Sequence, residues 1–397
     1  MKILVINAGS SSIKYKFFEM PERVVLASGV CEKIGEASGR ITHRTADRKT
    51  VSEQVFPDHA AALDKILALL TGDGGGLTDK DEIGGVGHRL VHGGESFSAP
   101  VLINDEVVEA VRANIPLAPL HNPPNLLGVE VARRLLPGVP QVGVFDTAFH
   151  QTIQPHAYLY ALPYRLYSEG RVRRYGFHGT SHAYVSRRAA EMLGQALSQV
   201  NVITCHLGNG ASMTAIRGGK SVDTSMGFTP LEGLVMGTRP GDFDPAIIFH
   251  LLGNPEMDTE RINRMLNKES GLLGLSGKTN DMREIESLAA GGDEQARLAL
   301  EVYCYRVRKY IGAMTAVLGH VDALVFTAGI GENSLTVRSK SVFGLGELGY
   351  AIDPEKNAAA RGIEADISAS SSRARILVIP TDEEVEIAVQ TYKTIAG

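Results

Sequence analysis

The 397-residue sequence predicts an α/β protein built from two similar halves. Three observations predict it. Apolar, strand-like runs at 2–7, 83–91, 141–145, 200–205, 321–328 and 375–380 lead into loops and turns, several of them rich in Gly, Ser or Asn. Segments with helical spacing lie between these runs. A hairpin with a small-residue tip occurs at 2–18 and again at 200–216.

The elements follow in order. Residues 2–7 read as a buried strand, 8–12 as a turn of small residues and 13–18 as a returning strand. Residues 59–70 have helical spacing, and 71–82 read as an exposed Gly- and Asp-rich loop. A strand at 83–91 enters a further loop. Helices are expected at 104–113 and 125–136, and the short strand 141–145 ends at Asp146. The segment 182–197 predicts an amphipathic helix with Val185, Ala189, Met192, Leu193, Ala196 and Leu197 on one side. The second hairpin follows, with its tip at 206–212. A long helix is expected at 296–319. The strand 321–328 runs into a third Gly-rich turn at 329–333, and a last strand at 375–380 precedes a terminal helix at 383–395.

Composition narrows the function. Hydrophobic residues make up 44% and charged residues 21%, the balance of a globular chain, which excludes a disordered or fibrous protein. Lys plus Arg is 40 against 45 Asp plus Glu, a net charge of −5, which disfavours nucleic acid and membrane surfaces as partners. The N-terminal apolar run is too short for a signal peptide and no run is long enough to span a bilayer, so the cytoplasm is the expected address. Cys31, Cys205 and Cys304 form no Cys-x-x-Cys pair, so neither a zinc cage nor a disulfide framework is expected.

Two glycine signatures are set aside. Gly277-Lys278-Thr279 lacks the correctly spaced leading glycine and the preceding strand of a Walker A loop. Gly344, Gly346 and Gly349 satisfy a dinucleotide pattern but precede no helix. A Gly-x-Ser-x-Gly elbow is absent, which disfavours an α/β hydrolase. The hairpin tips are better phosphate candidates, because small residues let backbone N–H groups approach an anion. Asn7, Ser10 and Ser12 add side-chain donors, and Lys14 adds a charge. Three such turns, each after an apolar strand, argue for one nucleotide held between two domains.

Arg89, Asp146, His178 and Arg239 each stand at a strand end or in a Gly-rich loop. Singly, each has a bland reading: a surface ion pair, a helix cap, a satisfied buried histidine, a loop brace. The His-x-x-x-His pairs at 88/92 and 178/182 lack the Glu of a zinc-protease helix. Together the four residues suit phosphoryl transfer, where two arginines and a histidine donor neutralise charge spread over the moving group.

The ordered motifs resemble the acetate kinase family over essentially the whole chain. They are V-I-N-A-G-S-S-S-I-K at 5–14, H-R-L-V-H-G-G-E at 88–95, V-F-D-T-A-F-H at 144–150 and Y-G-F-H-G-T-S-H at 175–182. H-L-G-N-G-A-S at 206–212, M-G-T-R-P-G-D at 236–242, D-M-R at 281–283, A-G-I-G-E-N at 328–333 and I-P-T-D-E-E at 379–384 complete the set. The resemblance implies the actin, sugar-kinase and heat-shock-ATPase superfamily: two duplicated domains with ribonuclease-H-like βββαβα cores and a nucleotide in the cleft between them. The implied division is 1–147 plus 383–397 and 148–382.

The implied reaction is reversible, Mg²⁺-dependent transfer of the ATP γ-phosphoryl group to acetate, giving acetyl phosphate and ADP, with Mn²⁺ able to replace Mg²⁺ and the enzyme a homodimer. Asn7 and Glu383 would bind the metal, and Ser10, Ser12 and Lys14 would lie near the phosphates. Arg89 and Arg239 would hold the carboxylate and the phosphoryl group, His178 would steady the transition state, and Asp146 is the family's catalytic acidic residue. His206, Leu207, Gly208, Asn209 and Gly210, with Asp281, Met282 and Arg283 and with Gly329, Ile330, Gly331, Glu332 and Asn333, would surround ATP. Val91, Leu120, Phe177 and Pro230 would meet the acyl group. Asp382 stands where the family often has Asn. Rival readings are a propionate or butyrate kinase of the same family, a nucleotide-dependent switch protein and a carboxyl phosphate hydrolase. A carboxylate acceptor is ionised at neutral pH and needs no base, so positioning a metal or an arginine is the expected role of Asp146.

Overall fold

The computed structural model of the chain describes residues 1–72, 75–119 and 121–397. They form two compact units, Met1–Gln151 with Asp382–Gly397, and Thr152–Thr381.

The first unit carries β1 (Lys2–Ala8), β2 (Ser12–Glu19), β3 (Val24–Glu32), β4 (Gly39–Thr45), β5 (Lys49–Gln54), β6 (Ile83–Leu90), β7 (Val101–Leu102) and β8 (Gln141–Phe145). They make one sheet in the order β5-β4-β3-β2-β1-β6-β8-β7. Neighbours from β5 to β1 run antiparallel, whereas β1, β6 and β8 run parallel. The unbroken apolar run of β1 has a simple cause: both faces are covered. Leu4 and Ile6 pack with Ala62, Leu63 and Ile66 of the helix His59–Leu70. Ile3 and Val5 pack with Ile387, Ala388 and Val389 of the terminal helix Glu383–Ala396. That helix lies so tightly on β6 that a Cβ at Gly87 would stand 2.4 Å from the Thr391 hydroxyl.

The second unit carries β9 (Asn201–Leu207), β10 (Ala211–Arg217), β11 (Lys220–Thr224), β12 (Ala323–Thr327), β13 (Ala365–Asp366) and β14 (Arg375–Val378). Their order is β11-β10-β9-β12-β14-β13. The pairs β11–β10 and β10–β9 are antiparallel, and β9, β12 and β14 run parallel. This repeats β3-β2-β1-β6-β8 strand for strand. The two units are duplicated ribonuclease-H-like α/β cores. The helix Glu294–Leu318 buries Ala296, Ala299, Leu300, Tyr303, Cys304, Val307 and Ile311, a stripe at spacings of three and four.

Several expectations shift. The helix predicted at 182–197 is Gly179–Leu193, stopped by Gly194 in the left-handed region at φ +65°, so Ala196 and Leu197 lie beyond it. The expected turn at 329–333 is helical, Ala328–Asn333. The expected loop 71–82 contains a 3-10 turn at Lys80–Glu82, and its residues 73–74 lie outside the described residues. Strands β3 to β5 were not anticipated.

Candidate active site

In the first unit the site is built at the carboxyl ends of adjacent parallel strands, the place where open α/β sheets bind ligands. Asn7 lies near the end of β1, directly opposite Lys14 on β2. Among the described residues no side chain bonds to the Asn7 amide or the Lys14 ammonium. The tip between them is closed by Gly9 N–H donating to Ser12 O at 2.8 Å and by His59 Nε2 donating to Gly9 O at 2.7 Å. Ser10 is exposed and Ser12 half-buried.

Arg89 lies one residue before the end of β6, and Asp146 follows β8. The guanidinium is held on two sides. Nη2 donates to Asp146 Oδ2 at 2.7 Å and Nε to Oδ1 at 3.1 Å, while the Glu383 carboxylate stands 3.7 Å from Nε. Asp146 is 2% exposed. Burial alone would lower the Arg89 pKa, but the carboxylates of Asp146 and Glu383 outweigh it and hold the guanidinium above its ordinary value. Burial pushes the Asp146 carboxyl up, and Arg89 opposes that push. The cap and surface-pair readings of these two residues therefore fall away.

Glu383 opens the terminal helix. Asp382 caps it by accepting from Val385 N–H at 3.0 Å, and its other oxygen takes Lys16 Nζ at 2.7 Å. Both Asp382 oxygens are thus engaged, so this departure from the family pattern leaves Glu383 as the freer carboxylate. Among the described residues no group of three or more His, Cys, Asp or Glu forms a metal cage. Asn7 and Glu383 are hard oxygen donors, which suits a Mg²⁺ ion that keeps waters and takes phosphate oxygens.

β6 stops at Leu90, so the argument that Arg89 and Val91 share a strand face has no strand to rest on. Val91 is buried and held otherwise: its N–H donates to Asn125 Oδ1 at 3.0 Å, and Asn125 Nδ2 donates to Ala8 O at 2.7 Å. Asn122 Oδ1 accepts from His92 N–H. Asn125 thus ties the segment after β6 to the end of β1, and Asn122 ties it to its own helix. Sequence reasoning passed over them, although two Asn three residues apart on one helix are a readable signal. Leu120 lies outside the described residues.

In the second unit His178, Arg239 and the turn at 208–210 converge. A Cβ on Gly210 would stand 2.9 Å from Arg239 Nη2 and 3.4 Å from the His178 ring. His178 has φ +56°, a left-handed conformation before the helix Gly179–Leu193, and its ring stacks on His206 with centroids 4.1 Å apart. Its Nδ1 meets Ser212 Oγ at 2.9 Å. The same hydroxyl meets His182 Nε2 at 2.8 Å, and His182 Nδ1 meets Thr204 Oγ1 at 2.7 Å. His206 Nδ1 meets Ser181 Oγ at 2.8 Å. The hydroxyls at 181, 204 and 212 are further residues the sequence reading missed. Arg239 Nη1 donates to Pro230 O at 2.6 Å, and burial lowers the Arg239 pKa. Phe177 is buried and Pro230 half-buried.

A cavity of about 640 Å³ is lined by Gly208, Asn209, Asp281, Met282, Arg283, Gly329, Ile330 and Asn333, together with Asn280, Glu286 and Ser334. It gathers three of the sequence segments expected around a nucleotide. Leu207 and Gly331 are buried in the neighbouring core instead, and Glu332 accepts from Thr381 N–H at 3.0 Å. Burial raises the Glu332 pKa. Asp281 caps the helix Met282–Ala290 and pairs with Arg283.

Two ribonuclease-H-like cores, the first carrying Arg89 and the second carrying Arg239, His178 and this cavity, hold the parts that a phosphotransferase uses, and comparison with known proteins narrows the class. The acetokinase family model matches residues 2–389. The acetate kinase of Pseudothermotoga lettingae is 54% identical over 396 residues, covering 100% of this chain and 98% of its own length. The crystal structure of Porphyromonas gingivalis acetate kinase superposes with a TM-score of 0.95 at 49% identity, covering 99% of each chain. That of a propionate kinase from Francisella tularensis gives 0.93 at 42% identity, again covering 99% of each chain. The chain belongs to the acetokinase family and is a kinase.

Proposed function

We propose that the protein transfers the γ-phosphoryl group of ATP to acetate, reversibly and with Mg²⁺, giving acetyl phosphate and ADP. One observation carries this reading. Asp146, the buried carboxylate beside the candidate acceptor site, is bound at two points by Arg89. A carboxylate so engaged is poorly placed to act as a general base, so the acceptor must already be ionised. A carboxylic acid meets that condition at neutral pH; an alcohol does not.

The roles follow from the donors. Asp146 and Glu383 orient Arg89, whose outward face meets the acceptor carboxylate or the phosphoryl oxygens. Arg239 adds a second positive charge. His178 donates from Nε2 to a phosphoryl oxygen if Ser212 donates to its Nδ1, with His182 and Thr204 completing the chain of donors. Ser10, Ser12 and Lys14 serve the phosphates, and the 640 Å³ cavity serves the adenosine. Asn7 and Glu383 would hold Mg²⁺, which supplies charge neutralisation on the phosphates. Without a proton to move, alignment and charge carry the rate. Homodimerisation belongs to the same reading, and sedimentation at working concentration checks it.

The test is incubation with ATP, Mg²⁺ and hydroxylamine, with and without acetate. Acetohydroxamate forming only when acetate and metal are both present supports the reading. ADP release that is independent of any carboxylate points to a switch ATPase and overturns it.

A further inference from the structure

The hairpin β4–β5 has no part in the chemistry above, yet it encloses a cavity of about 540 Å³ against the helix His59–Leu70. Ile41, His43 and Thr45 face it from β4, and Thr50 and Ser52, the register partners of His43 and Ile41, face it from β5.

One row of residues runs across four strands here: Tyr15 pairs with Gly29, Gly29 with His43 and His43 with Thr50. A Cβ at position 29 would stand 2.6 Å from the Tyr15 hydroxyl, so the glycine lets the phenol reach over β3 to the imidazole. The Tyr15 hydroxyl lies 2.5 Å from His43 Nδ1. Burial pushes the Tyr15 phenol up, so it keeps its proton and donates. Burial also lowers the His43 pKa, which keeps the ring neutral. With Nδ1 accepting, the ring proton sits on Nε2. His43 is 6% exposed, lines the cavity and, among the described residues, has no partner at Nε2. That N–H opens into the cavity, where it can donate to a bound acceptor.

The charged residues of the rest of the lining leave a net positive charge, two cations against one carboxylate. Arg48 and Lys65 contribute two cations, and among the described residues neither has a carboxylate partner; Asp47 is the acidic residue of the lining. Thr45, Thr50 and Ser52 add hydroxyls. Leu26, Ile41 and Leu69 make an apolar wall.

We propose that this cavity binds a small organic anion, a phosphate or carboxylate on an apolar body, with His43 Nε2–H, Arg48 and Lys65 as its donors and Leu26, Ile41 and Leu69 against the body. The site is independent of the phosphoryl-transfer reading, since none of these residues serves that reaction.

The probe is phenyl phosphate, titrated into full-length protein carrying ¹⁵N-histidine, with inorganic phosphate and benzyl alcohol as parallel arms. His43→Gln identifies the His43 resonance. Should that variant not fold, equilibrium dialysis of phenyl phosphate against wild type and Arg48→Ala/Lys65→Ala reads the loss of one bound equivalent. The expected result is a saturable shift of the His43 Nε2 signal by phenyl phosphate. The double variant should weaken it at least about tenfold, with turnover and melting temperature unchanged. Inorganic phosphate should bind more weakly, and benzyl alcohol should leave the signal in place. An absent or unsaturable shift, equal affinity in the double variant, or an equal response to benzyl alcohol overturns the proposal. Inorganic phosphate binding as tightly as phenyl phosphate overturns the organic part of it.

Discussion

Arg89 in the first unit and Arg239 in the second are assigned to one chemistry but held in opposite ways. Arg89 is clamped by a buried carboxylate at two points and approached by another. Among the described residues, Arg239 donates to one backbone carbonyl, that of Pro230. The electrostatic consequence is opposite too: carboxylates raise the Arg89 pKa, whereas burial lowers that of Arg239. The first arrangement fixes direction, because a bidentate pair holds the guanidinium plane. The second leaves a partly desolvated charge with little to neutralise it, so an incoming anion gains more from it. The difference teaches that counting cations at a phosphoryl site is insufficient; what each is already bonded to decides whether it orients or attracts.

The largest expected effect is on turnover. Arg89→Ala and Arg239→Ala should each lower kcat by roughly 10²–10³, about 3–4 kcal/mol, in a coupled assay for ADP. The KM values sharpen the comparison: loss of Arg239 should raise the KM of the anionic acceptor more than loss of Arg89. Equal KM changes would break it.

Histidines extend the contrast. In the second unit His182 is bonded to hydroxyls at both nitrogens. In the first, burial holds His88 down to about 4, only partly offset by its bond to Gln141. A lowered histidine pKa means that the unfolded chain binds the extra proton. Its stabilising contribution is complete above pH 6.5 and is lost as pH falls toward 4, about 3 kcal/mol in all. Urea midpoints at pH 7 and pH 4.5 should show this loss, and His88→Gln should flatten it. An unchanged slope removes His88 as its source.

Two smaller effects concern support. Ser212→Ala should lower kcat about tenfold, with nucleotide KM unchanged, because His178 loses the group that sets its tautomer. Unaltered kcat would show that stacking on His206 suffices. Val91→Ala should raise the propionate-to-acetate ratio of kcat/KM by up to about tenfold, the scale of one methylene in a hydrophobic pocket. A constant ratio would remove Val91 from the acyl wall.

The sequence was readable where both faces of a strand are covered. The runs at 2–7 and 141–145 are continuous because helices pack on both sides of β1 and β8, and the repeated hairpin announced the duplication. It was unreadable at β5, whose polar residues, such as Lys49, Glu53 and Gln54, leave the edge largely exposed, and at β4, where Gly39, Ile41 and His43 alternate but only Ile41 is an apolar side chain. The charged quartet stood out because each member lies beside glycine or at a strand end. Its supports did not. Asn122, Asn125, Ser181, Thr204 and Ser212 are ordinary polar residues whose role depends on which distant group they meet in the fold. The Arg89–Asp146 bond likewise joins residues at the ends of two different strands, and neighbouring positions in the chain carry no trace of it.

The contrast between a clamped and an unclamped arginine is tested most directly by thermal unfolding of Arg89→Ala and Arg239→Ala without ligand at pH 7. Removing Arg89 strands a buried carboxylate, which is destabilising. Removing Arg239 relieves a buried charge that, among the described residues, has no carboxylate partner. The account predicts a melting temperature below wild type for Arg89→Ala, recovering as pH falls and Asp146 takes a proton, and one at or above wild type for Arg239→Ala. Equal losses of stability in both variants would contradict it.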